Sequence, residues 1–272
     1  MYIRKGYKYR LKTNRAAGEK FVRFAGACRF VWNKVLSINE HRYFSGVRRL
    51  SYAQACELVA WWRHSEEYGW LHGVHSQVLQ QCFKDLERAY ANLFAGRTAP
   101  PRYRKKFLAD SFRYPQGFKL DGRQVYLPMI GWVEFWESRP IEGTIKNVTV
   151  SRQGQHWYIA CQVEVDLPAP MHPASAAVEI DLGIALFAAF SDGAVHPPLN
   201  AYRRVEKKKA CLQRKLAGMV QYSQNWKKHQ QRIAQLEIRI ANCRRHFLHQ
   251  LSTLVSAKSG SFPSSKAIGR EC

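Results

Sequence analysis

Asp181 is the residue whose type and setting point most directly to covalent chemistry. It stands in Val178-Glu179-Ile180-Asp181-Leu182-Gly183, which reads as a strand running into a glycine turn, and Asp192-Gly193 closes a hairpin after it. A carboxylate at such a strand end is where a metal-dependent nuclease carries its first ligand. Glu179 and Asp181 share a face on the two-residue period of a strand. Cleavage with two metals, however, needs several carboxylates around two Mg²⁺ ions about 4 Å apart. One or two are too few, and a strand-end Asp before Gly is more often a turn former. The chain then runs to Ser259-Gly260-Ser261-Phe262-Pro263-Ser264-Ser265 without an acidic strand. The expectation is an incomplete Mg²⁺ site on Asp181. His72 and His75 have a spacing that could bind metal, but no third ligand accompanies them and a structural role is expected. There is no nucleophile elbow, P-loop or Rossmann glycine pattern.

The cations offer a second chemistry, the neutralisation of phosphates. Of 272 residues, 43 are Lys or Arg and 20 are Asp or Glu, a formal net charge of +23. That excess implies a polyanionic partner. Aromatic residues make up 13% of the chain, which favours nucleic acid, where rings stack on bases. Arg102-Tyr103-Arg104-Lys105-Lys106-Phe107 and Ser111-Phe112-Arg113-Tyr114-Pro115 interleave cations with rings. Between Arg203 and Arg245 the only acids are Glu206 and Glu237. A solvated helix pair usually mixes signs, so an unmixed positive face makes sense beside a polyanion.

A membrane surface is the rival polyanion, but no apolar run approaches the roughly 20 residues of a spanning helix. Met1-Tyr2-Ile3-Arg4-Lys5 lacks the apolar core of a signal peptide. The cysteines (Cys28, Cys56, Cys82, Cys161, Cys211, Cys243 and Cys272) are odd in number and contain no C-x-x-C pair. They are expected to be reduced, mostly buried thiols in a cytoplasmic protein.

The elements that position these residues are legible as patterns. Tyr7, Tyr9 and Leu11 alternate like a short strand. From Glu19, Phe21, Phe24, Ala25, Cys28, Val31, Trp32, Val35 and Ile38 form one helical stripe, which Thr13 or Asn14 can cap. Further helices are expected over 51–62, capped by Ser51, and over 77–94. Three helices with short links predict a bundle over 13–96, with a helix-turn-helix as the minor alternative. After Pro100-Pro101, strands are expected at 119–120, 125–127, 131–136, 144–151 and 156–165, separated by Asp121-Gly122, Glu142-Gly143 and Gln153-Gly154. They read as a small antiparallel sheet or barrel. Leu167 to Pro173 is a linker. Helices over 201–216 and about 223–258 form an antiparallel hairpin. Its seam is Ile233, Leu236, Ile240, Cys243, Phe247, Leu251 and Leu254.

The order of these stretches resembles the TnpB (OrfB-type) proteins of bacterial insertion sequences, RNA-guided DNA endonucleases related to type V CRISPR nucleases. Tyr7-Lys8-Tyr9-Arg10-Leu11 resembles the family's opening strand, and Cys28-Arg29-Phe30-Val31-Trp32-Asn33 its first recognition helix. The basic run 101–106 with 111–115 is similar to the segment entering the barrel. Leu127-Pro128-Met129-Ile130-Gly131-Trp132-Val133 and Arg139-Pro140-Ile141-Glu142-Gly143 are similar to barrel signatures. Ile180-Asp181-Leu182-Gly183-Ile184 with Ser191-Asp192-Gly193 resembles the first RuvC motif. Arg244-Arg245-His246-Phe247-Leu248-His249-Gln250-Leu251-Ser252 resembles the helix before the second.

The resemblance, over roughly residues 1–258, implies an α+β chain. A small antiparallel wedge barrel with an inserted helical bundle would precede an incomplete RuvC/RNase H-like domain with a long helical hairpin. The expected parts are a first barrel strand (1–12), a helical recognition lobe (13–111), barrel and linker (112–172), a partial RuvC-like domain (173–258) and a tail outside the family pattern (259–272). Asp181 would be the first RuvC acid and a ligand of the incomplete Mg²⁺ site. Guide RNA and target DNA are the implied partners. The candidate contacts are Lys8, Arg10, Arg29, Asn33, Arg102, Arg104, Lys105, Lys106, Arg113, Arg139, Lys146, Lys207, Lys208, Lys209, Arg214, Lys215, Arg244 and Arg245.

The family goes on from about Ser259 with a strand ending in a catalytic Glu, a cysteine zinc ribbon and a last Asp. Here Gly260-Ser261-Phe262-Pro263 cannot form that strand, and no zinc ribbon is present. The expectation is a C-terminally truncated member that does not cleave DNA as given. A catalytically silent RNA- or DNA-binding repressor, or a helix-turn-helix protein acting without RNA, are the alternatives.

Overall fold

The structure is a computed structural model that describes residues 2–106, 110–167 and 179–258. Phe107, most of the 167–173 linker, Val178 and the 259–272 tail with Glu271 and Cys272 lie outside the described residues. The chain divides into two compact units, 1–167 and 168–272. It is mixed α+β.

The first unit is built on a seven-stranded antiparallel sheet that curls as half a barrel. Its strands are β1 (Tyr2–Leu11), β2 (Ser111–Tyr114), β3 (Lys119–Asp121), β4 (Gln124–Leu127), β5 (Gly131–Trp136), β6 (Thr144–Gln153) and β7 (His156–Asp166). The order is β2-β6-β7-β1-β5-β4-β3, so β2 and β3 end the sheet and the expected barrel stays open. Alternation explains the faces. Tyr7, Tyr9 and Leu11 of β1, Val133 and Phe135 of β5, and Trp157, Ile159, Cys161 and Val163 of β7 all point into one core. The register places Tyr7 beside Cys161 and Tyr9 beside Ile159. β2 lies inside what the sequence presents as a basic loop. Phe112 and Tyr114 point inward from it, so its alternation is only two residues deep.

The helices fill the opening of this sheet. α1 (Arg15–Phe44) is capped by Asn14, whose Oδ1 accepts from Ala17 N at 2.8 Å. It starts earlier and ends later than the expected helix and is unbroken, so no helix-turn-helix forms within it. Phe21 and Phe24 seat it on the sheet against Phe112, at ring distances of 5.9 and 5.3 Å. α2 (Tyr52–His64) begins at the expected Ser51 cap, which also forms a capping box with Gln54. α3 (Ser76–Phe94) completes the bundle through Val78, Leu79, Cys82, Phe83 and Leu86.

The second unit has three short strands, β8 (Ile180–Asp181), β9 (Ala188–Phe190) and β10 (Val195–His196), in the order β10-β9-β8. α4 (Arg203–Ala217) and α5 (Gln224–Lys258) follow and pack on each other. Ile240, Leu251 and Val255 are the buried positions of α5. Cys243 and Leu254, expected in the seam, face solvent; for Leu254 this is because the stripe steps from Leu251 to Val255. Cys211 is exposed too, so burial holds for Cys28, Cys82 and Cys161 and not for the helical-hairpin cysteines. No helix among the described residues is long and apolar enough to cross a membrane.

Candidate nucleic-acid interface

Asp181 closes a compact hairpin. Ile180 pairs with Phe190 and Asp181 with Ala189. The Glu179 carbonyl accepts from Ser191 N at 3.0 Å, and Glu179 N donates to Ser191 Oγ at 3.3 Å. Asp192 Oδ1 accepts from Ala194 N at 3.0 Å, and Gly193 takes a φ of +85° to make the turn. Ala188 and Phe190 anchor the hairpin on Leu251 and Val255. Asp181 itself is exposed, and so is Glu179.

The Mg²⁺ that the resemblance implies can be tested against these donors. Among the described residues no group of three or more His, Cys, Asp or Glu side chains could hold a metal ion. Asp192 is committed to its turn, and Asp181 with Glu179 falls short of the several carboxylates a two-metal centre needs. The donor set present does not fit that centre. His72 lies edge-on to His64 at 4.9 Å, while His75 packs against Tyr114 at 5.9 Å, so the two histidines do not converge.

The predicted cations separate into three groups. The first is spent inside the protein. Arg29 Nη1 lies 3.2 Å from Asp110 Oδ1, and Asp110 is only 8% exposed. Arg113 pairs with Asp85. Lys146 Nζ sits 2.8 Å from Glu164 Oε2, which with Arg4 holds the Glu164 carboxyl below its usual range. Arg139 stacks 4.6 Å over the Tyr7 ring and donates to the Gly6 carbonyl at 3.1 Å. Lys209 reaches Glu237 at 2.9 Å, tying α4 to α5. Asn33 is a clamp: its Nδ2 donates to the Arg104 carbonyl at 3.0 Å and its Oδ1 accepts from Arg104 N at 2.8 Å.

The second group lies on a segment that this clamp fixes along α1. Trp32 Nε1 donates to the Arg102 carbonyl at 3.0 Å, and the Arg104 guanidinium lies 3.8 Å over the Trp32 ring. Tyr103 donates its hydroxyl to Glu40. The side chains of Arg102, Lys105 and Lys106 are left exposed on this fixed backbone. On β1, Lys8 and Arg10 point outward, with Lys8 Nζ 3.3 Å from Gln153 Oε1 and Arg10 Nη2 3.1 Å from His156 Nδ1.

The third group is on the helical hairpin. Lys207, Lys208, Arg214 and Lys215 of α4 and Arg244 and Arg245 of α5 are exposed and form no ion pair among the described residues. Sequence reasoning missed Lys12, Trp132 and Trp136, which share the outer face of the sheet with Arg10. The signal was present in the alternation of 131–136, where Val133 and Phe135 turn inward and the two tryptophans must turn out.

Comparison with known proteins adds the following. A family profile described as "Helix-turn-helix domain" (HTH_OrfB_IS605) matches residues 1–48, a stretch that holds β1 and the whole of α1. One described as "Probable transposase" (OrfB_IS605) matches residues 159–260. The chain is 41% identical over 252 residues to "Putative RNA-guided DNA endonuclease InsQ" of Escherichia coli (strain K12), covering 92% of this chain and 63% of that protein. It is 32% identical over 257 residues to "Putative RNA-guided DNA endonuclease" of Streptomyces pristinaespiralis, covering 92% and 64%. The chain therefore spans a little under two thirds of the length of these curated relatives. Among solved structures, one described as "Cryo-EM structure of the Cas12f1-sgRNA-target DNA complex" shares the fold. Its TM-score is 0.51 at 10% identity, over 93% of this chain and 78% of that one.

Proposed function

Since the chain belongs to the TnpB (OrfB-type) family of insertion-sequence proteins, we propose that it is a nucleic-acid-binding scaffold of RNA-guided endonuclease lineage, with guide RNA and target DNA as its partners. The observation that carries this reading is the helical hairpin, where Lys207, Lys208, Arg214, Lys215, Arg244 and Arg245 stand exposed and form no ion pair among the described residues. Such a surface binds phosphates by releasing their counterions. In this proposal the protein grips RNA backbone and shape, and base pairing supplies sequence. The names of the relatives support the guide RNA, and the fold shared with a guide-RNA and target-DNA complex is consistent with it.

Asp181 then keeps the place of the first RuvC acid, on the first strand of a partial RuvC-like unit. By itself it does not assemble a two-metal centre, so the 272 residues bind without cutting. A binder that does not cut can occupy DNA as a repressor.

The test is expression of the 272-residue protein together with the DNA flanking its gene, followed by sequencing of the RNA that co-purifies. One enriched transcript, released by salt, is expected. The complex is then incubated with Mg²⁺ and DNA matching that guide, with no cleavage expected. Cuts that disappear in Asp181→Ala would overturn the inactive reading, and absence of any bound RNA would overturn the scaffold.

A further inference from the structure

We infer that the outer face of the half-barrel is a stacking site for unpaired bases of a single strand, centred on Trp132 and Trp136. The inference rests on the reading of the chain as a nucleic-acid binder and adds a second kind of contact, made through rings rather than charge.

The site follows from the register of the sheet. β5 turns Val133 and Phe135 into the core and leaves Trp132, Glu134 and Trp136 outside. Two tryptophans four residues apart on a strand stand roughly 14 Å from each other along one face, room for each to take a separate base. The two residues are 51% and 60% exposed, unusual for the bulkiest apolar side chain. Each is held from one side. Trp132 lies across from Tyr126, with ring centroids 5.5 Å apart. Trp136 lies across from Arg10 in the register and carries Lys12 Nζ 4.7 Å from its ring. Cross-strand aromatic pairing steadies a sheet, but it accounts for only part of each ring and leaves the rest open.

The charges around the rings narrow the choice of occupant. A groove of about 670 Å³ runs between them, lined by Arg10, Lys12, Gln124, Trp132, Glu134 and Trp136 among others. The one acid in that set, Glu134, is tied to Lys12 at 2.8 Å, and this contact lowers its carboxyl pKa. Arg10 stands against His156, whose pKa is held below its usual value by burial and then by the Arg10 charge. The groove thus presents an indole on either side of the Lys12–Glu134 pair, with the Arg10 guanidinium beside Trp136. A membrane interface also takes indoles beside cations, so it is the nucleic-acid reading of the chain that names the occupant. A single strand uses both, phosphate on the cations and bases on the rings.

The experiment uses the full 272-residue chain and three fluorescein-labelled probes of about 12 residues, within the site size of sheet-based single-strand binders. They are oligo(dT), the same length of abasic strand, which keeps the phosphates and lacks the rings, and a DNA duplex. Trp132→Ala and Trp136→Ala should each weaken oligo(dT) binding by roughly 5- to 150-fold. Neither should shift the melting temperature materially, since both rings are exposed. The abasic strand should bind more weakly to the parent protein and be indifferent to both substitutions. Trp136→Phe, which keeps a ring, should recover part of the loss.

Oligo(dT) binding that is unchanged in both alanine variants, or an abasic strand bound as well as oligo(dT), overturns the stacking site. If Lys207→Gln with Lys208→Gln still weakens binding in that case, the scaffold reading survives. No binding of any probe would take both readings down.

Discussion

His75 shows what a single half-buried side chain contributes to the character of this protein. It precedes α3, packs on the Tyr114 ring, and leaves its Nδ1 without a partner, as Arg63 leaves its Nε. Burial first, and the Arg63 charge second, hold its pKa below the usual 6.5. The sign of the effect follows from linkage. Below the unfolded value the unfolded chain takes up a proton that the folded chain resists, so stability falls as pH drops through that window and is unaffected above it. The urea midpoint should therefore decline more steeply between about pH 7 and pH 5.5 in the parent protein than in His75→Gln. Equal slopes would mean that the imidazole is not shielded. At this scale the sequence was least informative about partners. Arg29 and Arg113 read as cations among cations, and Asn33 as one polar residue beside them. Asp110 and Asp85 neutralise the two arginines from 81 and 28 residues away, and Asn33 holds a backbone 71 residues on. Pairings across such distances depend on how the elements pack, which no local pattern encodes.

Elements were legible where a period and a stop signal agreed. The Ser51 cap announced α2, and the glycine turns at 121–122 and 142–143 announced the strands around them. Their glycines differ in what they permit. Gly143 has a φ of +100°, and a Cβ there would lie 2.6 Å from the Glu164 carbonyl oxygen and 2.8 Å from Val165 Cγ2. Gly122 has a φ of +50° with open space around it. Gly143→Ala should cost about 1–3 kcal/mol or more, because strain and a backbone collision add, whereas Gly122→Asn, in a region Asn tolerates, should cost little. Chemical denaturation of the two variants decides it, and equal costs would show that the β6–β7 edge yields to a methyl group. β2 and the true length of α1 were the elements that sequence hid. β2 has only Phe112 and Tyr114 to mark its inner face, set among cations. The end of α1 carries Asn39 in a buried position, where an apolar residue would have extended the stripe. Its Oδ1 accepts from Leu50 N at 2.9 Å, and that remote bond makes the polar residue acceptable.

At the scale of the whole molecule, a net charge of +23 points to a polyanionic partner but not to the surface that would hold it. Position matters because a cation already paired in the fold has less to gain from a phosphate than one facing only water. Arg29 and Arg113 belong to the first kind, with Asp110 and Asp85 beside them. Lys207, Lys208 and Lys215 belong to the second, exposed on α4 and without an acid partner among the described residues. The salt dependence of RNA affinity separates the two. Each phosphate neutralised on a single strand contributes a slope of about −0.7 in log K against log salt, so replacing these three lysines by glutamine should flatten the slope by about 2. Replacing Arg29 and Arg113 by glutamine should leave the slope where it was and lower the urea midpoint instead, since Asp85 loses its cation and the buried Asp110 keeps only the longer contact with Arg152, at 3.8 Å. The opposite result, a flattened slope from the arginine pair and none from the lysines, would move the polyanion from α4 to the face of α1. The fold would then be trading its internal ion pairs for phosphate contacts on binding, and RNA would have to loosen the helical bundle in order to be held.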